Sequence, residues 1–445
     1  MSTCDEIPRA GVRHNLSFLV GHFLPYYLGG IFIRRRRFSA LAARLGWQPF
    51  DPTFCDRLRR HYQCDRIRLS LFGAPVVLLF DPDDIAQVLQ GSPNPCGVPG
   101  SKAKGMGHFQ PDALTISEGI TWRRRRPLNE AVLQTGRPVH DLAPALLQHV
   151  AAAVGDRPPL NWDAFAASGR RLAARSVFGL DDDETLAAID GLLHAMARAN
   201  RLFLLKPSGE HAALESLIHR RLSDAPAGSL LARLPGAVPA DDPAPDLCPA
   251  RQAPHWLFAM ADTLPANLIR ALALIGSDRA LADRVRTELA AADPDDPASV
   301  AGLHLLRGCL QEAMRLWPTT PLLARRLLRR ERLGATELPP GTQLLIPNNA
   351  LHRDARLAAD ADQCRPERWT AADGVPRWAY NHLSNGSQRC AGADLALFVG
   401  TAWLARLLAR WELDPRPALP GAGEPQPLIL DHFALRFRDR PAAPG

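Results

Sequence analysis

Lysine is nearly missing from this chain. Lys102, Lys104 and Lys206 are its only lysines, and arginine supplies the rest of the cationic side of a formal net charge of +7. With so much alanine and proline alongside, the skew reads as the coding bias of a GC-rich genome rather than as a nucleic-acid footprint. The arginine runs 34–37 and 123–126 lack the interleaved aromatics of a nucleic-acid module, so no nucleic acid is expected as a partner. A basic face for an acidic protein partner stays open. No CxxC pair occurs among the eight cysteines, which argues against structural zinc. Their scatter along so long a chain also argues against a disulfide framework, and a reducing, cytoplasmic setting is expected. Internal repeats and a phosphate-binding glycine loop are absent from the sequence as well.

What is present is ordinary globular material. The 445 residues are 46% hydrophobic and 22% charged, enough for a sizeable core. Residues 16–33 read LSFLVGHFLPYYLGGIFI and run into four arginines. That length approaches a bilayer's apolar thickness. His22, Pro25 and three glycines speak against a clean spanning helix, and no charged leader or small-residue cleavage site frames the stretch. Association with a membrane surface, or packing on the domain, is expected instead.

The remaining pattern is mainly helical with small β-sheets. A helix is expected over 38–64, a hairpin over Ile67 to Phe80, a short helix from Asp81 to Gln90, and a long loop over 91–112. Trp122 and Arg126 share one face of a helix over 120–134. Further helices fill 140–222, with breaks near Asp156, Asp181 and Pro207, and the proline-rich stretch 235–254 reads as a linker. His255 to Ile275 is a long apolar helix interrupted by Asp262-Thr263 and kinked by Pro265. Helices over 278–292 and 303–317 follow, then short strands near 322–328 and 343–346. A last helix to Trp411 and a strand over 433–437 complete the chain.

One cysteine stands apart. Cys390 lies in the stretch Leu383-Ser-Asn-Gly-Ser-Gln-Arg-Cys-Ala-Gly392, between Gly386 and Gly392, just before a helix. A thiolate at a helix N-terminus is electrostatically favoured and suits a metal; the glycines let backbone approach a flat ligand.

Glu312-x-x-Arg315, His352-Arg353-Asp354, Pro366-Glu367-Arg368-Trp369, Gly386 and Cys390-Ala391-Gly392 occur in that order. This series resembles the cytochrome P-450 superfamily of haem-thiolate monooxygenases, in a divergent bacterial branch, over about residues 40–440. The resemblance implies a cytochrome P-450 fold with haem b held between a long distal helix and the helix after the cysteine loop. The implied divisions are an N-terminal apolar and basic segment 1–37, one cytochrome P-450 domain over 38–440, and a tail over 441–445. Cys390 would be the axial ligand of the haem iron. Trp122, Arg126, Arg325 (with Arg326 as its competitor), Gln388, Gly386 and Gly392 would surround the cofactor. Asp262 and Thr263 would manage protons, and Glu312, Arg315 and Arg368 would form a buried structural triad. The reaction implied inserts one atom of O2 into a lipophilic small molecule, in natural-product tailoring, with electrons from a ferredoxin or flavodoxin and its reductase. No flavin or iron–sulfur motif in the sequence supplies them internally. A peroxide-driven or non-redox haem-thiolate enzyme (isomerase or dehydratase) is the alternative, and a non-catalytic haem-binding homologue the third reading. Leu383, Gln388, Met260, Leu264-Pro265 and Cys364 depart from the family pattern; they bear on the propionate contacts and on proton delivery.

Overall fold

Local signals set most helix starts. Asp51, Asp81, Asn161, Asp182, Asp278 and Asp296 each cap a helix by accepting a hydrogen bond from a backbone N–H of its first turn. Pro52, Pro82 and Pro297 occupy first-turn positions where their missing N–H costs nothing. The computed structural model describes residues 6–71, 73–200, 209–238, 247–370 and 377–441.

Among the described residues, nine short strands form three small sheets. β1 (Arg66–Leu71), β2 (Ala74–Leu79), β3 (Cys96–Gly97), β4 (Leu323–Leu327) and β7 (Gln343–Ile346) build a mixed sheet in the order β1-β2-β7-β4-β3. β5 (Glu331–Leu333) pairs with β6 (Thr336–Leu338), and β8 (Trp411–Arg416) with β9 (Arg436–Pro441). All other architecture is helical. The main core joins the helices Trp162–Phe178, Leu264–Ser277, His304–Leu316 and Ala393–Leu408. Two smaller clusters pack on the faces of the five-stranded sheet.

Several expectations need correcting. The helix over 38–64 is two helices, Arg36–Leu45 and Pro52–Tyr62, because Gly46 and the Pro49–Pro52 stretch break the ladder. The 91–112 loop contains β3 and a helix, Gly100–Met106, that periodicity had no apolar stripe to reveal. The last long helix stops at Leu408, and Trp411 opens β8. The terminal strand is Arg436–Pro441, so the domain's last strand takes in Pro441 and not 433–435. The Pro207 break, residues 239–246 of the linker and tail residues 442–445 lie outside the described residues. Cys64 is disulfide-bonded, so the chain does not hold only free thiols.

The long helix runs without interruption from Pro249 to Ser277 and is mostly buried, a core element rather than a membrane span. Pro265 is accommodated by a π turn over Ala259–Thr263, where Leu264 N–H donates to the Ala259 carbonyl. A wider turn relieves the clash and lost bond that proline brings to a regular ladder. The crossing helix presents Gly169 there; a Cβ would lie 2.3 Å from Pro265 Cγ.

Glu312 and Arg315 are fully buried and paired twice, at 2.7 Å for each bond. Arg315 spends its other donors on the carbonyls of His352, Ala361 and Gln363 at 2.6–2.8 Å. Arg368 is less tightly drawn in: its nearest carboxylate is Asp360 at 2.9 Å, with Glu312 at 3.6 Å. Breaking a buried pair strands a charge at a cost of about 3–5 kcal/mol. Glu312→Gln should therefore lower unfolding stability by about 3–5 kcal/mol in urea titrations. Arg440→Gln, at the exposed Asp414 pair, should change it by less than about 1 kcal/mol. Equal effects would remove the triad's structural role.

Candidate active site

The cysteine loop is tied down from both sides. Cys390 N–H donates to the Leu383 carbonyl at 2.9 Å and Arg389 N–H to Gly386 at 3.1 Å, closing a tight turn. Gly386 holds φ +70°, and a Cβ there would sit 2.2 Å from the Leu89 carbonyl oxygen. Arg126, whose Nε pairs with Glu130, donates through Nη1 to the Arg389 carbonyl at 2.6 Å. Thr135 Oγ1 donates to the Ala391 carbonyl at 2.6 Å, and Gly136 N–H to Asp394 at 2.7 Å. Ser387 donates to the Ser92 carbonyl. These contacts hold the Cys390 backbone to three separate elements.

The Cys390 side chain is accessible, although protein surrounds it closely enough to desolvate it. Burial pushes its thiol up, while the Gly392 N–H and the charges of Arg126 and Arg389 pull it toward the thiolate. Trp122 lies one turn before Arg126, and neither its indole N–H nor the Gln388 amide has a hydrogen-bond partner among the described residues. Gly392 stands at the N-cap of the following helix, Ala393–Leu408.

Two cations were not both foreseen. Arg325 is buried on β4, with Nε on Ser92 Oγ at 2.8 Å and Nη1 on the Ala324 carbonyl at 2.9 Å. Its neighbour Arg326 points the other way, 3.9 Å from Glu118, as strand alternation requires. Lys102 donates to the Thr115 hydroxyl at 2.7 Å and to the Thr115 carbonyl at 3.2 Å. Burial, and then the charge of Arg325, push its ammonium down to about 7. Burial pulls Arg325 down to about 10. Among the described residues neither cation has a carboxylate within ion-pair distance. Arg325, buried, and Lys102, half-buried and close enough to feel its charge, form a cationic pair suited to an anion from outside the chain. Sequence reasoning missed Lys102. Its signal was rarity: a lysine kept in a chain that uses arginine nearly everywhere else.

Asp262 and Thr263 sit in the π turn of the long helix. Neither side chain has a protein hydrogen bond among the described residues, while Asn267 donates to the Thr263 carbonyl at 3.0 Å. Burial raises the Asp262 carboxyl to about 6, against the opposing charges of Arg270 and Arg34. Both arginines escaped the sequence reading as site residues. Arg270 donates to the Trp317 carbonyl at 2.8 Å and to His432 Nδ1 at 3.2 Å. Arg34 comes from the N-terminal segment and lies over the Tyr26 ring at 5.7 Å.

Residues 251–427 match the cytochrome P450 family model. Cyclooctat-9-en-7-ol 5-monooxygenase of Streptomyces melanosporofaciens is 27% identical over 69% of this chain and 73% of its own length. Cyclooctatin synthase of the same organism is 32% identical over 32% of each chain. Probable cytochrome P450 4aa1 of Drosophila melanogaster is 31% identical over 36% of this chain and 33% of its own. The chain thus spans about a third of the latter two relatives. The haem domain of a cytochrome P450DA mutant shares the fold, with a TM-score of 0.69 over 87% of this chain and 93% of that one at 20% identity. Residues 251–427 thus carry the cytochrome P450 family pattern on the fold of a cytochrome P450 haem domain, and these likenesses support a monooxygenase with haem as its cofactor.

The donor set fits that cofactor: one accessible thiol, a glycine-floored loop, and a cationic pair suited to carboxylates. The raised Asp262 carboxyl has a measurable consequence. Its folded value near 6 lies above the ordinary 3.8, so the folded chain keeps a proton that the unfolded chain releases. Stability then falls as pH rises from about 4 to above 6, by up to ~3 kcal/mol. Asp262→Asn should raise the melting temperature at pH 8 and leave it nearly unchanged at pH 4. An equal shift at both would show that the carboxyl is not perturbed.

Proposed function

We propose that this P450 oxidises a lipophilic small molecule in natural-product tailoring, drawing electrons from a ferredoxin or flavodoxin with its reductase. Two features support the catalytic assignment: the accessible Cys390 thiol on a fixed loop, and the unpartnered Asp262–Thr263 pair on a widened helical turn. The substrate class is supported by the apolar lining that the distal helix offers at Phe258 and Met260. It is supported too by relatives named for cyclooctat-9-en-7-ol oxidation and for cyclooctatin synthesis.

Cys390 would hold the haem iron through its thiolate, and Arg325 with Lys102 would take the haem propionates, Trp122 and Gln388 adding hydrogen bonds. Arg126 acts one step back, through the Arg389 carbonyl and its charge near the sulfur. The bound haem-thiolate supplies activation of O2. Thr263 supplies a hydroxyl that donates and accepts, and Asp262 carries a proton near neutral pH because its value lies near 6. Asp262, with the desolvated Arg34 and Arg270 as its charged neighbours, would pass protons to Thr263. Glu312, Arg315 and Arg368 hold the segment leading to the cysteine. Exposed Arg123 and Arg137 near the cysteine loop suit an acidic redox partner.

Reduced protein under carbon monoxide should give the strongly red-shifted Soret band of a thiolate-bound haem; its absence would sink the Cys390 assignment. With ferredoxin and reductase, Thr263→Ala should keep electron consumption but cut product per electron by about tenfold or more. Unchanged coupling would make Thr263 structural. Turnover with hydrogen peroxide alone would instead favour the peroxide-driven reading, for which Met260 and Leu264-Pro265 beside the pair are the supporting departures.

Lys102 can be tested apart from turnover. Lys102→Met should weaken haem retention during dialysis against apomyoglobin, and combining it with Arg325→Met should weaken it further. Wild-type retention in the double variant would place the propionates elsewhere.

A further inference from the structure

The N-terminal helix has two apolar faces. One is buried: Phe18, His22 and Pro25 face the domain. Trp47 Nε1 donates to the Gly21 carbonyl at 2.8 Å, Phe50 N–H to His22 Nδ1 at 3.0 Å, and Ser70 N–H to Asn15 Oδ1 at 2.7 Å. The helix therefore lies along the protein and does not leave it to span a bilayer.

Its opposite face carries Val12, Leu16, Val20, Leu24 and Leu28, one at every fourth position. A regular α-helix would walk such a series round by about 40° per step. The π turn at Leu19–Phe23 is wider and holds the stripe closer to one side. The next helix adds Leu41 and Leu45. Each of these seven side chains is 41–86% exposed, and among the described residues only Ile120 and Leu328 join them as exposed large apolar groups. Scattered exposed leucines need no explanation, but seven within 34 successive positions form a surface.

The charge around that surface has one sign. From Ile7 to Phe50 the sequence contains seven arginines and no aspartate or glutamate. Arg13, Arg36, Arg37 and Arg44 are exposed; among the described residues Arg36 alone of these pairs with an acid, Asp163 at 3.1 Å. An apolar stripe with a purely basic surround complements an anionic lipid surface, where leucines enter the acyl boundary and arginines meet headgroup phosphates.

We infer that the Val12–Leu28 helix, with Leu41 and Leu45, is a monotopic docking surface for an anionic membrane. The same segment continues to the substrate side. Phe32 N–H donates to Asn200 Oδ1 at 2.9 Å, and Asn200 Nδ2 to the Ile33 carbonyl at 2.7 Å, which fixes Arg34 toward Asp262. The docked face thus lies next to the wall of the distal site. This inference is independent of the proposed substrate.

The test is flotation of haem-loaded protein with phosphatidylglycerol vesicles and with phosphatidylcholine vesicles. Partitioning should favour phosphatidylglycerol by at least tenfold and fall by a similar factor when salt rises from about 50 to about 500 mM. Arg13→Gln/Arg37→Gln/Arg44→Gln should lower it about a hundredfold, at roughly one kcal/mol per arginine. Leu16→Ser/Val20→Ser/Leu24→Ser should abolish flotation while the carbon monoxide spectrum stays native. Absence of wild-type flotation would overturn the inference, and so would retained flotation in the serine variant. Loss of a concentration-dependent dimer in that variant, with no vesicle binding by the wild type, would assign the stripe to a second copy of the chain.

Discussion

The Arg315 guanidinium is the contact on which the site most depends. A guanidinium has five N–H donors and no acceptor, and every one of the five is used here: two on Glu312, and one each on His352, Ala361 and Gln363. Buried without them, the charge would be intolerable. With them, one side chain fixes a helix end against a stretch of irregular chain that has no ladder of its own. The effect travels further. The Arg315 carbonyl accepts from His352 Nδ1, and His352 Nε2 then accepts the Asn381 N–H at 2.8 Å. Burial holds that imidazole neutral, which makes one nitrogen donor and the other acceptor. Asn385 Nδ2 donates to Asn381 Oδ1 at 2.8 Å, five residues before Cys390. Rigid placement of the thiol is thus inherited, bond by bond, from an ion pair remote from it in sequence.

That chain of contacts explains what could be read without coordinates. Glu312 and Arg315 announce themselves because their spacing is local and helical. Cys390 is marked by flanking glycines whose need is local too: Gly386 must adopt positive φ against the Leu89 carbonyl. Lys102, Arg34 and Arg270 carried no such mark. Each acquires meaning from tertiary neighbours that no local pattern announces, as Arg34 does from Asp262, more than two hundred residues away. The β5–β6 hairpin and β8 were missed for a related reason. Strands of three to six residues hold too few positions for a period to emerge, and β8 owes its pairing to β9 at the chain's far end.

The distal helix shows a local rule giving way to tertiary demand. Proline within a long helix predicts a kink, and Pro265 does disturb the ladder. The structure places the disturbance one turn earlier, as a π turn, and seats it against Gly169 of the crossing helix. Asp262 and Thr263 are presented by that widened turn. A regular ladder would leave less room for an acid and an alcohol to face inward side by side without backbone competition. The departure from the usual sequence at Leu264-Pro265 and the inward pair are therefore one feature.

Charge is distributed unevenly for the same kind of reason. Inside, cations stand in pairs: Lys102 with Arg325, and Arg34 with Arg270 near Asp262. A protein pays heavily to bury such groups unless an anion meets them. Haem propionates would answer the first pair. Beside Arg270 stand Asp262 and Asp431, and burial drives the Asp262 carboxyl toward the neutral form even though two guanidiniums oppose the shift. Desolvation there outweighs the attraction of both arginines, so the carboxyl lies within reach of any charge that enters or leaves the site. Arg34 belongs to the N-terminal segment, and whatever moves that segment moves a charge against Asp262. The outer surface of the helix and the Asp262 carboxyl are linked through a single loop, Gly29 to Arg35, clasped by Asn200.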